Sequence, residues 1–338
     1  MWMLLPALLL ASMNIAGNNL ALVPDMIILY GAPVFTTLVV AYLLISSMIT
    51  ALSAWMGMTA KEELFVIIKQ LFAFAGKRWL ALAMLAISLP ASALTGCVFS
   101  GSIVYTVFGI PSEWAMLFSL LFFWLSSLSL HNWILAIAKY LTVCSIPLFF
   151  IVGMMQLSQT FWQQTLLWGP VNWTLVFAFV GYNTGGIRPA LMVEASACLS
   201  KKGYQVIGAA VLSKLIEGCF TFLMALVVYS ADIMGPNSLL GLAEKISGPL
   251  GRTIFAFFLY GLFLNTMAPA MKVNIKEVGT LLGISNGWST LITLFGIYSI
   301  SQCSIYTILQ GMSVSGLLMI VLNIYTAYRL YFKMSRRN

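Results

Sequence analysis

Long apolar stretches dominate the chain, and short segments that hold most of its charged residues, glycines and prolines separate them. A helix that crosses the hydrocarbon core of a bilayer needs about 20 apolar residues. Windows of that length predict about ten transmembrane helices along the chain. Their approximate ranges are 3–29, 33–55, 79–108, 113–130, 132–155, 171–193, 204–230, 252–272, 286–302 and 308–331.

The composition agrees with this pattern. Of the 338 residues, 61% are hydrophobic and only 8% are charged, and the mean hydropathy is +0.98. A water-soluble chain of this length could not bury so much apolar surface in one core. The whole chain, residues 1–338, is therefore predicted to be a single all-α transmembrane domain. Its first residues lack the basic region and the cleavage site of a signal peptide, so we expect them to remain as the first helix.

The distribution of basic residues predicts the orientation in the membrane. Between the predicted helices, Lys and Arg are concentrated on one side, whereas the other side holds only Lys245 and Arg252. Because cytoplasmic loops of membrane proteins are enriched in Lys and Arg, both termini are predicted to be cytoplasmic. The net charge of +8 follows from these loops. The chain has no basic run interleaved with aromatic residues, so its sequence does not predict a nucleic-acid partner.

The residues that usually carry catalysis or bind metals are sparse and scattered. The chain has one histidine, His131, and no pair of cysteines in CxxC spacing. We therefore expect no metal site, no cofactor and no disulfide framework. The sequence contains no nucleophile motif and no phosphate-binding loop, so it does not predict an enzyme. We expect the five cysteines to be buried small apolar side chains: Cys97, Cys144, Cys198, Cys219 and Cys303.

The first and sixth predicted helices have the least helix-like sequences. The first contains the segment NIAGNN at 14–19, and the sixth contains GYNTGG at 181–186. Five predicted helices begin with each of these two, in opposite orientations. Such paired interruptions predict a 5+5 inverted repeat, residues 1–156 and 171–332, with discontinuous helices 1 and 6. The alternative for either segment alone is a glycine that lets two helices pack closely.

The segment FVGYNTGGIRPALMVEA, from Phe179 to Ala195, the Glu-Lys segment at Glu244 and the pair Asn265-Thr266 carry a family resemblance. With the 5+5 organisation, they resemble the amino acid–polyamine–organocation (APC) superfamily, which has the LeuT-like fold. Within it, the chain is most similar to the YkvI-type bacterial membrane proteins. The resemblance implies a secondary transporter in a bacterial cytoplasmic membrane. A similarity to spore germinant receptor B subunits implies an alternative, a ligand-sensing subunit without sustained transport.

The partners of such a transporter are the lipid bilayer, a small-molecule solute and a coupling cation, H⁺ or Na⁺. An unwound helix exposes backbone groups that protein or ligand must satisfy. Helix N-termini near Asn18 and Gly186 would attract a carboxylate, and opposing carbonyl groups would attract an ammonium, so we expect an amino-acid-like solute. The candidate substrate-binding residues are Ala16, Gly17, Asn18, Tyr182, Asn183, Thr184, Gly185 and Arg188.

Two further residues are candidates for ion coupling. Some proton-coupled members of the superfamily place a lysine of the fifth helix where sodium-coupled members bind a sodium ion between the first and eighth helices. The resemblance therefore implies that Lys139 carries the coupling proton and that Thr266 lines the same place. The alternative for Lys139 is a lysine that reaches the membrane surface. The alternative for Thr266 is a hydrogen bond to a carbonyl of its own helix.

The other intramembrane charges have structural alternatives. Arg188 can clamp a carboxylate of the solute, or it can pair with Glu217 or Glu194 and hold the sixth and seventh helices together. Lys214 and Glu217 are three residues apart on the predicted seventh helix. We expect these two side chains to neutralise each other on one helical face.

Overall fold

The structure is a computed structural model. It describes residues 22–31, 33–62, 77–128, 169–184, 203–231 and 238–335, together with Ala7, Ile67, Leu71, Met192, Val193 and Ser196. Every regular element in these ranges is a helix. The prediction of an all-α protein is therefore confirmed for the described residues.

The helices follow the apolar stretches of the sequence, and short turns join several of them. Helix α3 begins as Lys77–Ala93, continues through Leu94–Phe99 and ends as Ser100–Phe108. Gly109 ends it with φ of 68°, a conformation that glycine adopts without strain. The others are α1 (Val23–Tyr30), α2 (Pro33–Ala60), α4 (Ser112–Leu128), α5 (Trp173–Thr184), α6 (Gly203–Ala231), α7 (Ser238–Leu282), α8 (Asn286–Ser301) and α9 (Ile305–Ser335).

Five helices in the described ranges are long and apolar enough to cross a membrane. They lie in α2, α3, α6, α7 and α9, and each contains most of one predicted transmembrane range. Helix α4 is apolar but shorter. The chain is thus a multi-pass membrane protein by the length and composition of its helices. The count of ten helices and the 5+5 repeat stay predictions, because much of the first and all of the fifth predicted helix lie outside the described residues.

Helix α7 is longer than the sequence predicts. It begins at Ser238, before the predicted transmembrane range 252–272, and it bends at Gly248, where φ is 70° and ψ is −171°. It ends at Leu282 rather than at 272. The sequence pattern places Lys272 and Lys276 in a loop, but both lie on the exposed face of α7, while Glu277 is buried. The additional turns are amphipathic, so an apolar window alone does not detect them.

Helices α3 and α7 run antiparallel along most of their length. Hydrogen bonds join them at two levels, Ser92 with Asn274 and Thr106 with Arg252, and Gly96 leaves room for Met267 in between. In order along the two helices, the contacts join Arg78 to Gly283, Ser92 to Asn274, Gly96 to Met267 and Thr106 to Arg252. This pairing fixes which residues of α3 and α7 share a level in the membrane.

Two stretches widen from α-helical to π-helical geometry. They are Val39–Ser46 in α2 and Leu94–Phe99 in α3. Pro90 precedes the second stretch and has no N–H to donate to the carbonyl of Ala86. Ser315 of α9 supplies that donor, with Oγ 2.9 Å from the Ala86 oxygen. Because π-helical turns occur frequently at functional sites, both stretches are candidate positions for such a site.

The cysteines differ from the prediction. Cys97 is buried, whereas Cys219 and Cys303 are exposed on the surface of the protein. The expectation that all of them are buried is therefore wrong for these two. Cys219 lies on an apolar helix whose outward face is suited to lipid, so a small apolar side chain is equally stable there. The three described cysteines are free thiols.

Candidate functional site

The candidate site lies where the C-terminal half of α5 contacts α3 and α9. Gly181, the first glycine of the predicted interruption, sits directly against α9. A Cβ atom at this position would lie 2.5 Å from the carbonyl oxygen of Met312 and 2.9 Å from Cα of Gly316. Glycine is therefore required for this close approach, which is the packing role that the sequence analysis left open as an alternative. Residues 181–184 are helical, so α5 is continuous to Thr184.

Tyr182 points from α5 towards α3. Its phenol oxygen makes a hydrogen bond with the hydroxyl of Thr95, in the π-helical stretch of α3. Both side chains are buried. A buried hydroxyl that lost its partner would cost about 1–3 kcal/mol, so this contact fixes the position of the tyrosine ring. The structure thus joins one predicted site residue to a residue that the sequence analysis did not select.

Asn183 is fully buried next to Tyr182. A primary amide carries two donors and an acceptor. With the Tyr182–Thr95 contact, it gives this part of α5 two consecutive buried residues that can form hydrogen bonds. Such groups bind a polar solute through hydrogen bonds without adding a net charge of their own.

Thr266 lies on α7, one residue before Met267. A Cβ atom at Gly96 would lie 2.5 Å from Cε of Met267. Within the π-helical stretch, Thr95 therefore contacts α5, and the next residue, Gly96, contacts α7. The predicted site residues Tyr182 and Thr266 belong to two helices that meet at this one stretch of α3.

The hydroxyl of Thr266 is buried and has no hydrogen-bond partner among the described residues. The alternative that its own helix satisfies it is therefore wrong. Four residues after Asn265, Pro269 interrupts the helical hydrogen bonds, because it has no N–H to donate to the carbonyl of Asn265. Together, a buried hydroxyl and a carbonyl without its usual donor form an oxygen-rich turn of α7 beside the site.

Several predicted site residues lie outside the described residues. They are Ala16, Gly17, Asn18, Lys139, Gly185 and Arg188. The backbone of Thr184 is described as the last residue of α5. The first interruption, the remainder of the second and the fifth predicted helix therefore remain predictions.

The predicted ion pair on α6 is confirmed. Lys214 Nζ lies 2.7 Å from Glu217 Oε2, and the side chains are 3% and 0% exposed. Gly218 follows the pair and faces Tyr42 and Leu43 in the π-helical stretch of α2, with the Cβ position 3.1 Å from Tyr42 Cβ. The charges are thus held at the interface between α6 and α2.

Thr95 is not among the predicted site residues, although the sequence around it carries a signal. It lies in SLPASALTGC, residues 88–97, where a proline and several hydroxyl side chains interrupt an apolar helix. Polar residues at membrane depth are costly and tend to face the protein interior. The sequence did not show which helix Thr95 contacts, because that depends on the packing of α5 against α3.

The described helices define a multi-pass α-helical membrane protein with buried hydroxyl and amide side chains where α5 meets α3. In the described part of the chain, no three His, Cys, Asp or Glu residues come together as a metal site would require.

Among solved structures, the chain is similar to the crystal structure of the manganese transporter of Eremococcus coleocola in complex with an aromatic bis-isothiourea substituted compound. The similarity covers 96% of this chain and 75% of that one, with a TM-score of 0.54 and 14% sequence identity. No protein-family model and no curated protein sequence matches this chain. At this identity the likeness shows the fold, so the chain has the fold of a membrane transporter.

Proposed function

We propose that the protein is a secondary active transporter that carries a small, amino-acid-like solute by alternating access and couples it to protons. The observation that carries the proposal is the buried contact between Tyr182 and Thr95. It places hydrogen-bonding groups inside a chain that has a transporter's fold, at a helix whose sequence predicts an interruption.

The solute class follows from the predicted interruptions at Asn18 and Gly186. Helix N-termini attract a carboxylate and helix C-termini attract an ammonium, so a zwitterion satisfies both. The hydroxyl and amide groups of Tyr182, Thr95 and Asn183 are suited to its remaining polar atoms. The manganese in the name of the structural relative belongs to that protein, and a fold shared at 14% identity does not bring it to this chain.

The first test is thermal unfolding of the detergent-purified protein with amino acids, amines and organic acids, with and without sodium. A ligand that binds only the folded protein raises the Tm, by an amount equivalent to about 2.7 kcal/mol at one hundred times its Kd. We expect a zwitterion to raise it, and we expect Asn183→Ala to abolish the rise. Tyr182→Phe should weaken binding by up to about tenfold, the value of one neutral hydrogen bond.

The matched control is Tyr105→Phe, which removes the hydroxyl of an exposed tyrosine on the same helix as Thr95. It should leave the ligand-dependent rise unchanged. Liposome uptake of the same ligand then tests transport. Binding without uptake would contradict the transporter and support the sensing subunit that resembles germinant receptors. A rise that survives both Tyr182→Phe and Asn183→Ala would place the binding site elsewhere.

Proton coupling is tested separately through Lys139. We expect Lys139→Ala to abolish uptake driven by a pH gradient, because the variant has no ammonium to carry the proton. Exchange of labelled solute without a gradient should continue, since it needs no net proton movement. The control Lys245→Ala removes an exposed lysine from the N-terminal part of α7 and should keep both activities. Gradient-driven uptake that persists in Lys139→Ala would remove this residue from the mechanism.

A further inference from the structure

Two oxygen acceptors lie buried near the C-terminal end of α7, away from the site around Tyr182. Asn274 is 0% exposed, and its amide nitrogen donates to Ser92 Oγ of α3 at 2.9 Å. Its amide oxygen, Oδ1, is buried without a hydrogen-bond partner among the described residues. A buried amide oxygen without a donor is costly, so this end of α7 requires a donor or a cation.

Glu277 lies three residues further along α7 and is 8% exposed. Residues three apart are neighbours on one face of a helix. The carboxylate makes no ion pair or hydrogen bond with another described residue. A buried carboxylate without a partner is much less stable than one that holds a cation or a proton. The same face of α7 therefore presents an amide oxygen that lacks a donor and a carboxylate that lacks a counter-charge among the described residues.

Helix α3 adds further oxygen atoms at this level. Because α3 and α7 are antiparallel, Ser88 lies one turn from Ser92 towards the same end as Glu277. Both serines are buried. The donor set is then a carboxylate, an amide oxygen and hydroxyl groups, which suits hard cations that prefer oxygen ligands. A single carboxylate is neutralised by one positive charge.

Among the residues that the structure describes, the charged groups near this place do not form an ion pair with Glu277. Lys272 and Lys276 are on α7 itself, and both lie on its exposed face. Lys276 is near enough to act on Glu277 through its charge, but the two form no ion pair. Arg78 of α3 is exposed and lies at Gly283, beyond Glu277. Helix α8, which packs on α3 and α7, has no charged residue between Asn286 and Ser301.

We propose that Asn274, Glu277 and Ser92 form a binding site for one monovalent cation between α3 and α7, either an alkali ion or a proton. The site lies on α7 beyond Thr266, towards the C-terminal end of the helix. It goes beyond the proposed function, because it can be occupied without any solute. In a transporter, a site that gains and loses a cation at the interface of two long helices would make their packing depend on occupancy.

The experiment measures thermal unfolding of the detergent-purified full chain without solute. Sodium chloride or potassium chloride is replaced by choline chloride at equal concentration, which keeps ionic screening constant. Each series is repeated from acidic to alkaline pH. We expect the wild-type Tm to be lowest in choline at alkaline pH, and to rise with the added cation until it saturates.

Glu277→Gln removes the charge at constant shape and is the decisive variant. Because its amide no longer needs a cation, we expect its Tm in choline at alkaline pH to equal or exceed that of the wild type. Its dependence on the cation should be lost. Asn274→Leu should also reduce that dependence, and Glu113→Gln, which changes an exposed carboxylate at the start of α4, should leave it intact.

A rise with sodium or potassium at constant pH that Glu277→Gln abolishes identifies an alkali ion. A rise with acid alone that Glu277→Gln abolishes identifies a proton. A wild-type Tm that is independent of both would overturn the proposal, as would a cation dependence that Glu277→Gln retains in full. Since no solute is present, either result leaves the transport proposal to be judged by uptake alone.

Discussion

Gly316→Ala is expected to leave little folded protein. Gly316 lies on α9 where the helix crosses α5, and a Cβ atom there would clash with the carbonyl oxygen of Phe177. The same Cβ would lie 2.8 Å from the backbone nitrogen of Gly181. Overpacking usually costs about 1–3 kcal/mol when side chains can move aside, and here only backbone atoms could move. We therefore expect a loss at or above the upper end of that range.

The measurement is the monodisperse fraction and the Tm of the detergent-extracted protein. Gly311→Ala is the matched control, because it lies on the same helix with nothing within 4 Å of its Cβ position. There the change removes a poor helix former and should be neutral or should stabilise by up to about 1 kcal/mol. Equal behaviour of the two variants would show that α5 and α9 do not approach as closely as the structure has them.

Lys214→Met is expected to destabilise the protein by about 3–5 kcal/mol, because it removes the ammonium that lies 2.7 Å from the fully buried carboxylate of Glu217. Glu217→Leu should cost a similar amount, because it removes the carboxylate beside the buried ammonium of Lys214. The double variant Lys214→Met/Glu217→Leu removes both charges and keeps the volume. It should therefore be much more stable than either single variant. The free energy of unfolding in mixed micelles with increasing SDS checks the three variants as a double-mutant cycle.

The control pair is Arg252 and Glu244, which lie 2.8 Å apart with side chains 32% and 42% exposed. Solvent weakens such a pair, so Glu244→Gln should cost no more than about 1 kcal/mol. The double variant could instead lose as much free energy of unfolding as the two single variants together. That result would mean that groups other than Lys214 and Glu217 themselves stabilise the two charges.

The residues of the site show how far the sequence could go. Tyr182 and Asn183 were selected because a Gly-Tyr-Asn-Thr-Gly-Gly segment is unusual in an apolar helix. The structure gives its first glycine a packing role against α9 and places the tyrosine against Thr95. Both are contacts between residues far apart in the chain, and no local pattern encodes them. Thr266 was selected from a resemblance, and its hydroxyl without a partner became visible only from the surrounding atoms.

The ion pair on α6 and the acceptors on α7 also separate what the sequence predicts from what only the structure shows. Lys214 and Glu217 are neighbours on one helix, so their spacing predicted their contact, and the structure confirms it. Asn274 and Glu277 are also neighbours on one helix, but the sequence does not show that Ser92 of α3 takes the amide donor of Asn274 and that the amide oxygen is left without one. The sequence placed this segment in a loop, because its exposed lysines hide its buried face.

The sequence by itself determined the class of the protein, since so high an apolar content can be buried only in lipid, and the length of the apolar stretches predicted that the chain is helical. It also determined the approximate limits of most described helices. The tertiary structure alone decided which helices touch, that glycines join α5 to α9, and which polar groups lack partners. Hydrophobicity acts on each segment separately, whereas packing and hydrogen bonding depend on atoms that the chain brings together from distant positions.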